Sequence, residues 1–528
     1  MTLFKTKLSS VLLTSCLVFG CNVAWANEIT LTRDEDEIVM RGTLLRYEDG
    51  YYVIKTSLGQ MTVNSAMVEC TGDACPKTDG IDANFRIAGS DTIGIELMPL
   101  LIKGMAAQNG TAVGNERSQG GHLSTMTAVK DNGRGDKDFT AVVEARGSSS
   151  GFQALLSETA DLAMSSRPIK SEEHQALLNA GAGDMRSRAQ EHVIAADGII
   201  ISLNPENPVD QLTEAEIAAL LSGRITNWRQ VGGEDVPVKV YTRNGQSGTS
   251  EMIKSRFLNP QNASFARSSK VVLGNAEMAE GIFLDKGAIG YLSAGYDTDT
   301  KPVAITSRCG ITTMPSEFTI KTEEYPLQRR LYVYHRNGEL PQTVKALLSY
   351  TSSDAAAGSI EKAGFVSWNI VQQSQQDIAQ ALRSQITDTQ SPTEQNLARA
   401  LYIDLLEWDR LSSTFRFQTG SSILDNLSQQ KLVRLANYIV NLPAGSEITL
   451  TGFTDSDGAF NANQRLSEGR AMSVREQLEV LLKGTDVLDR VKINVKGYGP
   501  LNAVACNDDY LAQGLNRRVE VWVRPNNG

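Results

Sequence analysis

The sequence has few histidines, no cationic surplus and, past its first residues, no long apolar run. Only four histidines occur in 528 residues: His122, His174, His192 and His335. None stands at ligand spacing from another or from a cysteine, which argues against a metal site and leaves no cofactor to expect. The formal net charge is -10, and no basic stripe or stacking platform interrupts that acidity, so no nucleic-acid partner is expected. After the N-terminus no stretch approaches the roughly 20 apolar residues of a spanning helix. Nothing offers the series of alternating strands that a membrane barrel requires. Cysteine is sparse too, with six in the chain and four of them after Ala26.

What is present begins with an export signal. "MTLFKTKLSSVLLTSCLVFGCNVAWANE" has two early lysines, an apolar run and a small-x-small "AWA" ending at Ala26. That is the pattern of a secretory signal peptide over residues 1–26. Lipid attachment at Cys21, in "LVFGC", is the weaker alternative, because Phe19 suits a lipoprotein box poorly. An oxidising compartment permits a bridge between Cys70 and Cys75 in "VECTGDACP". Cys309 and Cys506 either pair across domains or stay as buried thiols.

The length implies about two to four domains. Residues 27–78 alternate apolar and polar positions around turns at Asp49-Gly50 and Gly59, as in a small antiparallel β unit. From 82 to 370 short apolar runs alternate with longer helical stretches, which implies α/β layers. Residues 371–410 are rich in Gln, Ser and Thr, contain Pro392, and read as a mostly helical linker. Residues 411–526 return to alternating strands and helices in a compact α/β sandwich. The fold class is therefore α/β and multidomain, with a β-rich N-terminal unit.

Three strand-to-helix turns in the middle region carry small and hydroxyl residues. "FRIAGSDTIGIEL" passes through Ser90, Asp91 and Thr92; "FTAVVEARGSSSGFQALL" passes through Ser148 and Ser149; "RNGQSGTSEMIKSRF" offers Arg243, Ser247, Gly248 and Thr249. The first N–H groups of a helix lack internal partners and lie at the positive end of its dipole, so such turns suit an anion. Hydroxyl donors and a planar guanidinium add to that. Each turn alone is more often an ordinary N-cap.

The stretch from "ISLNPENPV" through "LSGRITNW" to "RNGQSGT", with "GSSSGFQALLSETADLAMSSRPIK" and "LDKGAIGYLSAGY", resembles the periplasmic phosphate-binding proteins of the PstS type over roughly residues 84–370. The resemblance implies a two-lobed type II periplasmic-binding fold closing on one oxyanion, inorganic phosphate first. It places the ligand contacts at the three turns above and implies an inner-membrane ABC permease as partner. One position departs from the family. Where phosphate-selective members carry an aspartate that accepts the proton of hydrogen phosphate, this chain has Ser166, followed by Arg167, which would add attraction for a dianion. Selectivity against sulfate is the property this touches, and Asp161 lies too early to compensate. "GSSSG" also fits the G-x-S-x-G nucleophile elbow, so a serine hydrolase using Ser149 with His192 or His335 is a remote alternative.

"EITLTGFTDSDGAFNANQRLSEGRAMSVREQL" and "LNRRVEVWV" resemble the peptidoglycan-binding domain of OmpA C-terminal regions, Pal lipoproteins and flagellar stators. The resemblance implies that Asp455 and Arg470 face the zwitterionic diaminopimelate of a wall peptide, with Thr454, Asn463, Leu466 and Arg517 lining or supporting the site. Carboxylate for ammonium and guanidinium for carboxylate is the chemistry such a ligand needs. Phe453 stands where a histidine is frequent and is expected at the edge of the site. Together the modules imply a periplasmic, wall- or outer-membrane-associated phosphate receptor with no catalytic activity. A mainly structural wall protein with a drifted receptor domain is the alternative.

Overall fold

The computed structural model describes residues 28–33, 37–48, 51–56, 59–64, 69–72 and 74–75, and then 84–524 apart from 118–122, 131–136, 244–247, 273, 297–298, 387–390, 418–422 and 509. The signal segment, Cys21, His122 and Ser247 lie outside these. The chain divides into two compact units, 1–80 and 81–528.

The first unit is an antiparallel sheet of five strands in the order Gly59–Asn64, Tyr51–Thr56, Glu37–Glu48, Glu28–Arg33, Glu69–Thr71. Alternation puts Ile29, Leu31, Tyr52 and Ile54 on one buried face, as a one-sided sheet requires. Cys70 and Cys75 are disulfide-bonded beside it.

The second unit contains a sheet of eleven strands. Its order runs Lys270–Val272, Lys239–Arg243, Ala288–Ser293, Glu191–Leu203, Gln328–His335, Leu162–Ser165, Asn84–Gly89, Lys137–Ala145, Leu123–Lys130, Thr111–Arg117, with Lys301–Pro302 beside Glu191–Leu203. Two hydrophobic cores divide it into lobes. One core gathers Phe85, Leu101, Val143, Leu162, Val333 and Leu347; the other gathers Ile200, Ile217, Trp228, Ile253, Ile289 and Leu292. The 13-residue strand Glu191–Leu203 joins them. Its first half pairs with Gln328–His335 and its second half with Ala288–Ser293. That strand and its antiparallel neighbour are the crossing between lobes, hence the natural hinge.

The C-terminal sheet is ordered Gln372–Gln373, Asp409–Arg416, Arg518–Arg524, Glu447–Phe453, Lys492–Gly497. Helices Asn426–Val440 and Phe460–Leu482 cover one face, burying Leu435, Ile439, Val474 and Leu478 against Leu450 and Val521. The stretch expected as a linker does not behave as a spacer. It forms helices Gln376–Ile386 and Pro392–Glu407, whose Ala379, Leu382, Leu401 and Leu405 pack with Trp408, Phe453, Tyr498 and Trp522. Those apolar positions recur at helical spacing, so the segment extends the domain core. Phe453 lies in that core, fully buried, and not at the edge of a site.

Several bonds fasten the C-terminal domain to the receptor. A disulfide joins Cys309 to Cys506, 197 residues apart in sequence, which settles the pairing that sequence left open. Glu323 bonds both Arg330 and Arg416, and Arg330 also reaches Asp425 at 2.9 Å. Burial alone would raise the Glu323 carboxyl, but Arg330 and Arg416 hold it well below the usual carboxylate range. Asn426 donates to Glu191, and Arg434 donates to the Ser352 carbonyl at 2.6 Å. One domain is therefore bonded to both lobes.

Candidate functional site

Two of the receptor turns and Ser166 meet because their strands are parallel neighbours. Asn84–Gly89 lies between Lys137–Ala145 and Leu162–Ser165, parallel to both, so three chain ends emerge on one edge, where open α/β sheets bind ligands. Backbone bonds fix the arrangement: Arg146 and Gly147 donate to the Gly89 carbonyl at 2.8 and 2.9 Å, and Ser90 donates to that of Met164 at 2.9 Å. Gly89 has φ +135°, and a Cβ there would sit 2.1 Å from the Met164 carbonyl oxygen. Only glycine lets the strands approach this closely.

Ser148 Oγ accepts from the Ser166 amide at 3.1 Å, so the second turn and the departing residue share one corner. Ser90 is fully buried, and its Oγ has no partner among the described residues. The third turn comes from the other lobe. Tyr291 Oη holds it, accepting from the Arg243 amide at 3.0 Å and bonding Ser250 and Thr242. The Arg243 side chain donates to Asn275 at 3.3 Å, while its Nε, buried, has no partner among the described residues. Burial lowers its pKa, opposed by Tyr291 and Asp91. Gly248 begins the following helix, with Thr249 buried just after it.

A cleft of about 800 Å³ lies among these elements. Asp91, Ser148, Ser149, Ser166, Arg167 and Gly248 line it. Its wall carries six cationic side chains, Arg146, Arg167, Lys170, Arg329, Arg330 and Arg416, against the acidic Asp91, Glu251 and Glu323. That sign is opposite to the chain's net charge. Arg167 and Ser149 are engaged with each other and with Glu173: Arg167 donates to both Glu173 oxygens at 2.7 and 2.8 Å and to Ser149 at 2.9 Å. Burial raises the Glu173 carboxyl, yet Arg167 and its other donors bring it below its ordinary value.

Sequence reasoning missed Arg329, which touches Thr92 and pairs with the buried Asp197. The signal was there, in two adjacent arginines at the start of the strand "QRRLYVYH", whose following residues are buried. Asp161 is accounted for, accepting from the Arg86 amide at 2.8 Å. The hydrolase alternative fails on geometry. Neither histidine bonds Ser149 among the described residues; His192 and His335 stack on each other at 5.2 Å, and burial pushes the His192 imidazole down to about 4.

In the C-terminal domain, strand Glu447–Phe453 delivers Thr454 and Asp455. Asp455 Oδ2 accepts from Arg517 at 2.8 Å, so the residue assigned a supporting part bonds it directly. Asn463 donates to the Asp457 carbonyl at 2.9 Å and shapes the loop. Leu466 is exposed on helix Phe460–Leu482. Arg470 lies over the Phe417 ring at 5.5 Å, with Nη1 unpartnered among the described residues. Burial first, then Arg517, lowers its pKa, while Asp455 raises it. Thr454 is buried, its Oγ1 likewise unpartnered.

Residues 106–355 match the PBP superfamily domain, and residues 416–513 match the OmpA family. The chain joins a PstS-like binding-protein domain to an OmpA-family domain. A relative from Borreliella burgdorferi, "Phosphate-binding protein PstS", is 29% identical over 228 residues, covering 42% of this chain and 78% of its own length. The protein of the same name from Staphylococcus aureus strain USA300 is 27% identical over 229 residues, covering 42% and 67%. Among solved structures, an ABC-type phosphate transport receptor from Vibrio cholerae aligns over 54% of this chain and 99% of its own, with 23% identity and a TM-score of 0.41. PstS-like and OmpA-family domains are binding modules and not enzymes.

Proposed function

We propose that this chain is an exported receptor that captures inorganic phosphate in the cleft and is tethered to peptidoglycan through the site around Asp455. The observation that carries the proposal is the convergence of three strand-end turns, from two lobes, on one cationic cleft, with Ser90 Oγ and Arg243 Nε left unpartnered in two of those turns among the described residues. A desolvated oxyanion is bound in such a place by oriented N–H and O–H groups and by guanidinium, with closure of the lobes strengthening each bond. The relatives named above supply phosphate as the ligand. Two disulfides support an oxidising compartment, and among the described residues no helix is long and apolar enough to cross a membrane. Asp455, Arg470 and Arg517 provide both signs of charge for the diaminopimelate of a wall peptide. Phosphate uptake through an inner-membrane ABC permease is the use that fits a receptor of this type.

The direct test is calorimetric titration of phosphate, then sulfate, into the full-length protein after bound ligand has been stripped by partial unfolding. Phosphate is expected to bind at micromolar concentration or tighter, and Arg243→Ala to abolish most of that affinity. Absence of binding to either anion would leave wall attachment as the better-supported function.

A further inference from the structure

Arg329 sits on the strand Gln328–His335, opposite Asp197 on the long strand that joins the lobes. Its Nε and Nη2 both donate to Asp197 Oδ2, at 3.0 and 2.8 Å. Nη2 also reaches Thr92 Oγ1 at 3.5 Å. A methyl group built on Gly248 would lie 3.5 Å from Nη1, and Nη1 has no hydrogen-bond partner among the described residues. Asp197 is fully buried, whereas Arg329 keeps 12% of its side chain exposed, on the cleft wall. The guanidinium is therefore held from behind by one carboxylate oxygen, with its remaining donor edge between a turn of one lobe and a turn of the other.

From this geometry we propose that Arg329 is a second anion-contacting arginine, placed at the hinge; the proposal deepens the phosphate reading above and rests on it. Arginine carries five N–H donors in a rigid plane, and Asp197 uses two. The rest match two oxygens of a tetrahedral oxyanion better than a lysine point charge would. Because Thr92 and Gly248 belong to different lobes, an anion seated on Nη1 is gripped across the hinge, so closure and ligand contact are one event. A hinge ion pair with no ligand contact would instead serve stability alone.

The experiment titrates phosphate into the full-length protein and three variants: Arg329→Lys, Arg329→Gln, and Arg329→Gln with Asp197→Asn. The double variant leaves no buried unpaired charge, so it isolates ligand contact from folding, which thermal melts monitor. Kd for phosphate is expected to rise on the order of 10- to 100-fold in the double variant, the range for losing charge-assisted bonds. Arg329→Lys should fall in between. Kd within about twofold of the unaltered protein in a folded double variant would overturn the proposal while leaving the receptor function standing. Failure of the unaltered protein to bind phosphate would remove the receptor function and this proposal with it.

Discussion

The receptor cleft and the site around Asp455 meet opposite electrostatic demands. The cleft gathers donors: helix-start amides, serine and threonine hydroxyls, and arginines, of which Arg167, Arg330 and Arg416 are already paired with carboxylates while Arg329 keeps Nη1 without a partner among the described residues. Its acidic residues are few, and Glu323 is already committed to Arg330 and Arg416. The Asp455 site instead holds a carboxylate and two guanidiniums within one small surface, with Arg517 on Asp455 and Arg470 left with an open donor. Donors without acceptors suit a dianion; mixed charge suits a zwitterion. On the proposed function, side chains of similar type would serve two ligand classes, the difference lying in which of them are already paired.

The largest effect is expected where the two regions are joined. Glu323→Gln leaves Arg330 and Arg416 without their shared carboxylate, and breaking a buried pair of this kind costs roughly 3–5 kcal/mol. Urea unfolding should show that loss, and an unchanged midpoint would mean that Glu323 does not fasten the domains. Next comes independence of the two sites. Asp455→Ala should reduce co-sedimentation with purified sacculi on the order of 10-fold or more and leave the phosphate Kd unchanged, whereas Arg243→Ala should do the reverse. A smaller change is expected from Ser166→Asp, which puts a carboxylate beside Ser148. It should weaken sulfate relative to phosphate on the order of 10-fold, because only hydrogen phosphate brings a proton for that acceptor; equal weakening of both anions would show that Ser166 does not face the ligand.

A further effect concerns pH. Burial pushes the Lys431 ammonium down to about 7, where it lies over the Trp368 ring and donates to the Lys321 carbonyl at the domain junction. Between about 7 and the ordinary lysine value of about 10.4, the unfolded chain holds the proton that the folded chain has released. This group's contribution to stability therefore rises with pH across that window. Denaturation at pH 7 and pH 9 should show a gain that Lys431→Met diminishes; an equal gain in the variant would assign the effect to other groups.

Much of the architecture was legible because it is written in local pattern. Alternation marked the N-terminal sheet, and strand-turn-helix order marked the α/β domains. The motifs that carried the PstS resemblance are largely scaffold. Asn204 donates to the Ile282 and Phe283 carbonyls, and Trp228 is buried with Nε1 on the Gly287 carbonyl. Local turns also pointed to Ser90, Ser148 and Gly248. What stayed hidden depends on contacts distant in sequence: Arg329 with Asp197, 132 residues apart, Glu323 with Arg416, 93 apart, and the packing of the supposed linker on Trp522. Periodicity reports which face of an element is buried, but not against what.

On the proposed function, one molecule holds phosphate while fixed to the wall. Sacculi loaded with the full-length protein and incubated with radiolabelled phosphate test it most directly. The predicted result is phosphate retained in proportion to bound protein, lost together with the protein in Asp455→Ala and lost without it in Arg243→Ala. Sacculi that retain the unaltered protein but no phosphate would contradict it.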